Sequence, residues 1–418
     1  MWRGAVLAIV CGVLSACATV PLPEGEETIT NYPAPDVENP GVIVLAEPIE
    51  TPPPPPIIPA PPPPPKDAPP EPIYETPNEF AQLSGWAGSD HRPALHAFAK
   101  GCEAWMKADP LAYLNPKQPE YGRYQDWTSA CLKAQALDAN GAGAWEVRQF
   151  FETEFLPVTL SVQDGKPGLL TGYYEPEIDV RVTPDAIYSE PILAKPASKA
   201  VQNLARSKLS ARSSRVIAYG RPIDVFFMQV QGSGRIKFGN GQSVRAAYAG
   251  HNSKRYKSIG KVLVQRGEMT LEQASKQSIE DWMARKGPSA TRELMNQNPR
   301  YIFFTEQAIL PGEGPRGAMR VPLTTMGSIA VDNRYHPYGT LVWLETTLPQ
   351  YPGDYKGEPA SLLVAAQDTG NAIRGPLRGD LFFGSGAVAG DKAGVMKHPV
   401  TWTLLLPKAI APRPFGVS

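Results

Sequence analysis

Residues 364–384, VAAQDTGNAIRGPLRGDLFFG, place two carboxylates, Asp368 and Asp380, at either end of a glycine-punctuated loop. The flanking runs are apolar and of strand length, and Asp-Thr-Gly and Gly-Pro are turn signals. A third acid, Asp332, lies upstream in SIAVDNRYHPYGTLVWLE, again beside apolar, strand-like text. Three aspartates set against turns in this way point to a shared site rather than to a solvated face.

Working outward, the segments YIFFTEQ, GSIAVD, TLVWLE, SLLVAAQ, DLFFG and VTWTLLL all read as strands. Further upstream, GLLTGYYEPEIDVRV (168–182) alternates, turns and continues, and RVIAYG, DVFFMQVQGSGRIKF and SVRAAYA read as short strands up to about Gly250. A helical interlude follows. MTLEQASKQSIEDWMARK opens with Thr270 and Gln273 at capping-box spacing, and SATRELMNQNP forms a second short helix ended by Pro299. Residues 79 to about 155 are helical. In PALHAFAKGCEAWMK, Leu95, Phe98, Cys102 and Trp105 share one face, Trp127 and Cys131 recur in DWTSACLKAQAL, and Trp145, Phe150, Phe151 and Phe155 form an aromatic core set. No repeat recurs at solenoid periods. The fold class is mainly β with helices (α+β).

The 418 residues carry 41 basic and 41 acidic side chains, a net charge of zero. That is no electrostatic footprint for nucleic acid. Residues 1–16 read as a signal peptide, with Arg3 as the basic start and 5–14 as an apolar run too short to span a bilayer. LSAC, ending at Cys17, resembles a lipobox, which implies cleavage before Cys17, lipidation there and anchoring to a membrane rather than insertion through it. Ala18 follows Cys17, a pattern that resembles outer-membrane sorting. Residues 17–78 are rich in proline, with runs at 52–56 and 61–65. Such a segment buries too little apolar surface to offset its ordering entropy, and reads as a disordered, semi-stiff tether or as a proline-rich ligand. An oxidising periplasm permits a disulfide between Cys102 and Cys131. Two separate buried thiols are the other reading. No histidine lies close to either in sequence, and the spacing matches no metal site.

The ordered set LLTGYYEPEI, FFMQVQGSGRIKF, AAYAGHNSKRYKSIGKVL, YIFF and the three-aspartate region resembles the membrane-bound lytic transglycosylase A family from about residue 90 onward. The resemblance implies a double-psi β-barrel, an inserted second β-domain, a helical N-terminal segment and a substrate groove between the two domains. The barrel combines 79–176 with 301–418, and 177–300 is the insert. Two departures stand out: Tyr335-His336 before the Pro-x-Gly-Thr turn, where an apolar residue is usual, and Met326-Gly327 before Ser328, where a basic residue is expected.

The implied reaction cleaves the β-1,4 bond between N-acetylmuramic acid and N-acetylglucosamine in peptidoglycan, with no water consumed. The muramyl C6 hydroxyl attacks its own C1, giving a 1,6-anhydro end. Most glycosidases need two carboxyl groups. With the nucleophile tethered to the electrophile, one acid/base suffices. Asp380 matches the catalytic position, and the Leu381-Phe382-Phe383 run beside it favours a raised pKa. Asp368 either holds backbone amides in its Asp-Thr-Gly turn or polarises the C6 hydroxyl. Asp332 orients the same network or packs a barrel turn. Thr171, Tyr173, Tyr174, Gln231 and Ser233 are the expected glycan contacts, with Glu175 structural or binding and Asp391 a loop residue. His251, His336 and His398 lack ligand spacing, so neither metal nor cofactor is expected.

The expected partners are peptidoglycan strands, the outer membrane through the lipid anchor, and cell-wall synthesis or remodelling proteins. The location is the periplasmic face of a Gram-negative outer membrane. The competing functions are a non-catalytic peptidoglycan-binding lipoprotein and a hydrolytic muramidase in which Asp368 activates water.

Overall fold

The computed structural model describes residues 72–75, 79–163, 165–270, 274, 276–310 and 312–410. Cys17, nearly all of the proline-rich tether and Gln273 of the expected capping box lie outside these residues.

A short strand β1 (Pro72–Tyr74) precedes three helices, α1 (Arg92–Trp105), α2 (Tyr124–Ala139) and α3 (Ala144–Glu154). Pro93 sits in the first turn of α1, where its missing N–H costs nothing. Leu95, Phe98, Cys102 and Trp105 are all buried along one α1 face. Cys102 is disulfide-bonded to Cys131, with 5.4 Å between their Cα atoms, which staples α1 to α2. Phe150, Phe151 and Phe155 join the core as expected, but Trp145 is 66% exposed. At 100° per residue Trp145 stands 120–140° around the helix from the two phenylalanines of α3, so one helix cannot bury all three.

The chain then forms β2 (Phe155–Val162), β3 (Gly168–Glu175), β4 (Glu177–Arg181), β5 (Glu190–Leu193), a short α4 (Lys199–Gln202), β6 (Val216–Gly220), α5 (Pro222–Gln231), β7 (Gly234–Phe238) and β8 (Ser243–His251). After α6 (Ile259–Gln265), α7 (Lys276–Asn296) and β9 (Ile302–Gln307) come β10 (Ser328–Val331), β11 (Leu341–Leu348), β12 (Glu358–Asp368), β13 (Arg378–Ser385), α8 (Ala387–Val395) and β14 (Lys397–Pro407).

Two sheets organise these elements. In the first, β14, β11, β12, β10, β13 and β3 are neighbours in that order, and β3 pairs back onto β14, closing a six-stranded barrel. Closure uses the length of β14. Residues Lys397 to Val400 pair with β3, and Trp402 to Pro407 pair with β2, which continues the sheet to β1. A closed barrel leaves few edges to protect. Helix α1 packs on β12 and is tied to it by a buried polar chain: Ser328 Oγ donates to Gln367 Oε1 at 2.6 Å, and Gln367 Nε2 donates to Ala97 O at 2.6 Å.

The second sheet has the order β5-β6-β4-β7-β8-β9, and a bridge between Ala194 and Phe304 nearly closes it. Here the structure corrects two expectations. β9, read with the C-terminal barrel, pairs with β8 in the second sheet, so the barrel's later strands begin with β10. The stretch from Asp224 to Gln231, read as strand, lies in helix α5. Val225 and Met228 pack into the core of the second sheet, while Phe226 and Phe227 pack with Leu263, Trp282 and Met283 of α6 and α7. A helix buried on two sides shows no polar face, so its text lacks the helical period. The two helices expected between 269 and 299 are present: within α7 the chain leaves helical geometry at Gly287, whose φ is +81°, and a second helix starts at Pro288.

Candidate active site

Four residues lie side by side across the barrel wall. In register, Asp368 on β12 pairs with Ala330 on β10, Ala330 pairs with Asp380 on β13, and Asp380 pairs with Thr171 on β3. Residues directly opposite in a sheet share a face, so the row Asp368, Ala330, Asp380 and Thr171 opens onto one surface. The small Ala330 separates the two carboxylates. All four line a cleft of about 580 Å³, whose other wall belongs to the second sheet and its helices.

Asp380 accepts a 2.6 Å hydrogen bond from Thr171 Oγ1, which itself accepts from Arg378 at 2.8 Å. Burial pushes the Asp380 carboxyl up to about 6. The Thr171 hydroxyl and the Arg378 charge pull it back, and the Asp368 carboxylate adds to the rise. Arg378 points inward, yet burial outweighs it.

Asp368 is held by three donors. Its Oδ1 accepts from the amides of Ala318 (2.9 Å) and Thr369 (2.8 Å), and its Oδ2 accepts from Tyr173 Oη at 3.1 Å. Burial still raises its pKa, against the opposing pull of those three donors. The Tyr173 hydroxyl is shifted far upward by burial and by both carboxylates, so it stays a donor. Its ring packs at 5.3 Å from Phe382, its in-register neighbour on β13.

Asp332 is not a cleft residue. It is fully buried, chelated by Arg334 at 2.9 and 2.6 Å, and accepts the Gly375 amide at 2.9 Å. Burial pushes its carboxyl up, but Arg334 and the amides of Gly375 and Arg334 more than offset this and hold it below the usual range. It therefore ties the turn after β10 to the loop carrying residues 369–375.

The remaining expected contacts do converge. Thr171, Tyr173, Tyr174, Gln231 and Ser233 all line the cleft. Gln231, the last residue of α5, accepts the Tyr174 amide at 3.1 Å, pinning β3 to α5. The Tyr174 ring lies against Gly390 of α8; a Cβ at 390 would stand 2.6 Å from it. Glu175 is structural: fully buried, it accepts from Arg245 Nε (2.5 Å), Arg235 Nε (2.9 Å) and Ser385 Oγ (2.7 Å), joining barrel strands to β7 and β8. His336 is a core residue as well. Its Nε2 meets Pro376 O at 2.6 Å, so that nitrogen carries the proton and Nδ1 accepts from Tyr121 Oη at 3.0 Å. Burial holds its pKa near 4, and it stacks on Trp402.

Sequence reasoning missed the far wall. Arg206, Gln229, Tyr248, His251 and Arg300 line it. Tyr248 and His251 lie within AAYAGHNSKRYKSIGKVL, which was a signal to use. Arg206 and Gln229 carry no local signal. The cleft is also bridged: with its carboxamide turned to accept, Asn371 Oδ1 takes Arg300 Nη1 and Nη2 at 2.5 and 3.1 Å.

Residues 169–305 match the family profile of the MltA specific insert domain, and 327–406 match the 3D domain. The membrane-bound lytic murein transglycosylase A of Escherichia coli (strain K12) is 32% identical over 308 residues, covering 72% of this chain and 79% of the relative. The chain belongs to the membrane-bound lytic murein transglycosylase A family. The Vibrio cholerae member of the family is 36% identical over 235 residues, which span 55% of this chain and 63% of the relative. Among solved structures of the family, that of a membrane-bound lytic murein transglycosylase from Agrobacterium tumefaciens superposes with TM-score 0.67 at 30% identity, covering 80% of this chain and 98% of that one. Escherichia coli MltA with bound chitohexaose superposes with TM-score 0.59 at 29% identity, covering 75% and 90%.

Proposed function

We propose that this chain is a peptidoglycan lytic transglycosylase in which Asp380 is the lone acid/base. The observation that carries this reading is the state of Asp380. It is half-buried in the wall of a two-sided cleft, bonded to Thr171, with a pKa raised to about 6. A general acid works best with its pKa near the operating pH. In its protonated form Asp380 gives its proton to the glycosidic oxygen as the bond from that oxygen to muramyl C1 breaks. The muramyl C6 oxygen then bonds to C1, and its proton returns to Asp380. The C6 nucleophile is already part of the substrate, so no second carboxylate has to activate water.

Asp368 supports rather than attacks. Its oxygens are engaged by Tyr173 and the amides of Ala318 and Thr369, and its charge helps keep Asp380 protonated. Asp332 supports at one remove by fixing the 369–375 loop. Tyr173, Tyr174, Gln231 and Ser233 offer rings and polar groups to the sugars. The relatives are named membrane-bound. For this chain we assign the anchor to a lipid on Cys17, with the catalytic body facing the periplasm from the outer membrane.

The test is digestion of purified sacculi in ¹⁸O-labelled water by wild type and Asp380→Asn. Anhydromuropeptides without ¹⁸O from the wild type, and almost none from the variant, support the reading. Labelled reducing ends indicate hydrolysis, and absence of cleavage indicates a binding protein; either result overturns it.

A further inference from the structure

The two walls of the cleft differ in their acids. The lining carboxylates, Asp368 and Asp380, both stand on the barrel side with Arg316 and Arg374, whereas the opposite wall presents Arg206 and Arg300 and no carboxylate. Arg206 is only 7% exposed. Its Nε and Nη2 donate to the backbone carbonyls of Asn298 (3.1 Å) and Arg300 (2.8 Å), which neutralise no charge. The carboxylate that contributes to its field, Glu190, is itself paired with Arg292. The Phe226 and Tyr301 rings, 4.7 and 5.2 Å from its guanidinium, offset part of the cost of burying this cation, but no carboxylate pairs with it.

A second, independent observation lies beside it. Gln229, on α5, is 4% exposed and lines the cleft, yet neither its Oε1 nor its Nε2 has a hydrogen-bond partner. The Tyr301 hydroxyl lies beside this carboxamide and interacts with it, while its own proton goes to Pro191 O at 3.0 Å. An unpaired buried carboxamide costs about 1–3 kcal/mol, and a primary amide with both ends free is complementary to another amide.

A glycan strand stripped of its peptides offers this wall no carboxylate beyond the lactyl group. Stem peptides carry both carboxylates and backbone amides. Resting on the function proposed above, we infer that this wall is a subsite for the stem peptide of the bound muramyl residue. Arg206 and Arg300 receive its carboxylate and Gln229 an amide. The subsite makes peptide-bearing glycan the preferred substrate, and Arg300 exchanges its contact with Asn371 for the peptide when substrate enters.

The experiment compares intact sacculi with the same glycan freed of stem peptides by an amidase, for wild type, Arg300→Gln and Gln229→Met. We expect each variant to lose about tenfold more in kcat/KM on intact sacculi than on stripped glycan, the worth of one charge-assisted or buried hydrogen bond. Gln229→Met removes an unpaired amide from the core, so its Tm should be unchanged or higher. Equal losses on both substrates, or a Tm drop for Gln229→Met showing that the carboxamide holds the fold, would overturn the subsite. Calorimetric titration with a synthetic stem tetrapeptide ending in D-alanine separates this inference from the reaction itself. Binding by wild type that is lost in both variants supports the subsite even if no anhydro product forms, and absence of binding by wild type overturns it.

Discussion

Thr171 Oγ1 donates to Asp380 Oδ1 at 2.6 Å across parallel neighbours β3 and β13, where the two residues stand in direct register. The residues are 209 positions apart in sequence, and the second sheet with its helices lies between them in the chain. The acid is therefore held by a strand on the far side of an insertion, so the geometry of the site depends on the barrel closing.

Replacing Asp380 by Asn should lower anhydromuropeptide release by at least about 10²–10⁴-fold, the range for removing a general acid. Stability should move the other way. The folded pKa, about 6, lies above the ordinary 3.8. Protonation therefore favours the fold below about pH 4, and that stabilisation is lost as pH rises through 6. Melting curves should show the variant at least as stable as wild type at pH 7, with the advantage gone at pH 3.5. A lower Tm at pH 7 contradicts the raised pKa.

Arg378 holds the Asp380 pKa down. Arg378→Gln should raise it and carry the alkaline limb of the pH–rate profile upward, because the acid stays protonated to higher pH. Initial rates of anhydro-end formation between pH 4 and 9 would reveal this. An alkaline limb that moves down or stays put counts against Asp380 as the titrating acid.

Glu175 lies fully buried against Arg245, whose side chain is 4% exposed, and Arg235. Glu175→Leu alone leaves Arg245 as a buried unpaired charge and should cost about 3–5 kcal/mol. The pair Glu175→Leu with Arg245→Leu should recover much of that loss. Urea unfolding of the three proteins gives the comparison, and additive losses would refute a compensated pair.

The Cys102–Cys131 bridge closes a loop with a sequence separation of 29. Loop-closure entropy puts its contribution at about 3–4 kcal/mol. Reduction should lower the Tm while leaving kcat at 25 °C close to that of the oxidised protein, since neither cysteine lines the cleft.

The family, the two β-rich regions and the candidacy of Asp380 were legible because each rests on local text. Alternating strands, Gly and Pro turns, and the run Asp380-Leu381-Phe382-Phe383 keep their meaning without knowledge of partners. α5 was misread because an apolar run buried on two sides reads alike as strand or helix. Its true signals were Pro222 in the first turn and Gly232 as a left-handed cap, with φ +92°. β9 carried no clue to its sheet, because strand pairing is set by contacts distant in sequence.

The sequence by itself determined most of the elements, the chemistry available at Asp368 and Asp380, and the placement of Cys102 and Cys131 on buried helix faces, because these follow from residue type and short-range period. Only the tertiary structure decided which carboxylate, Asp380, stands half-buried in the cleft with a raised pKa, which one, Asp332, is spent on a turn, and which cations face the cleft from its other wall. Burial and field are sums over neighbours brought together from the whole chain.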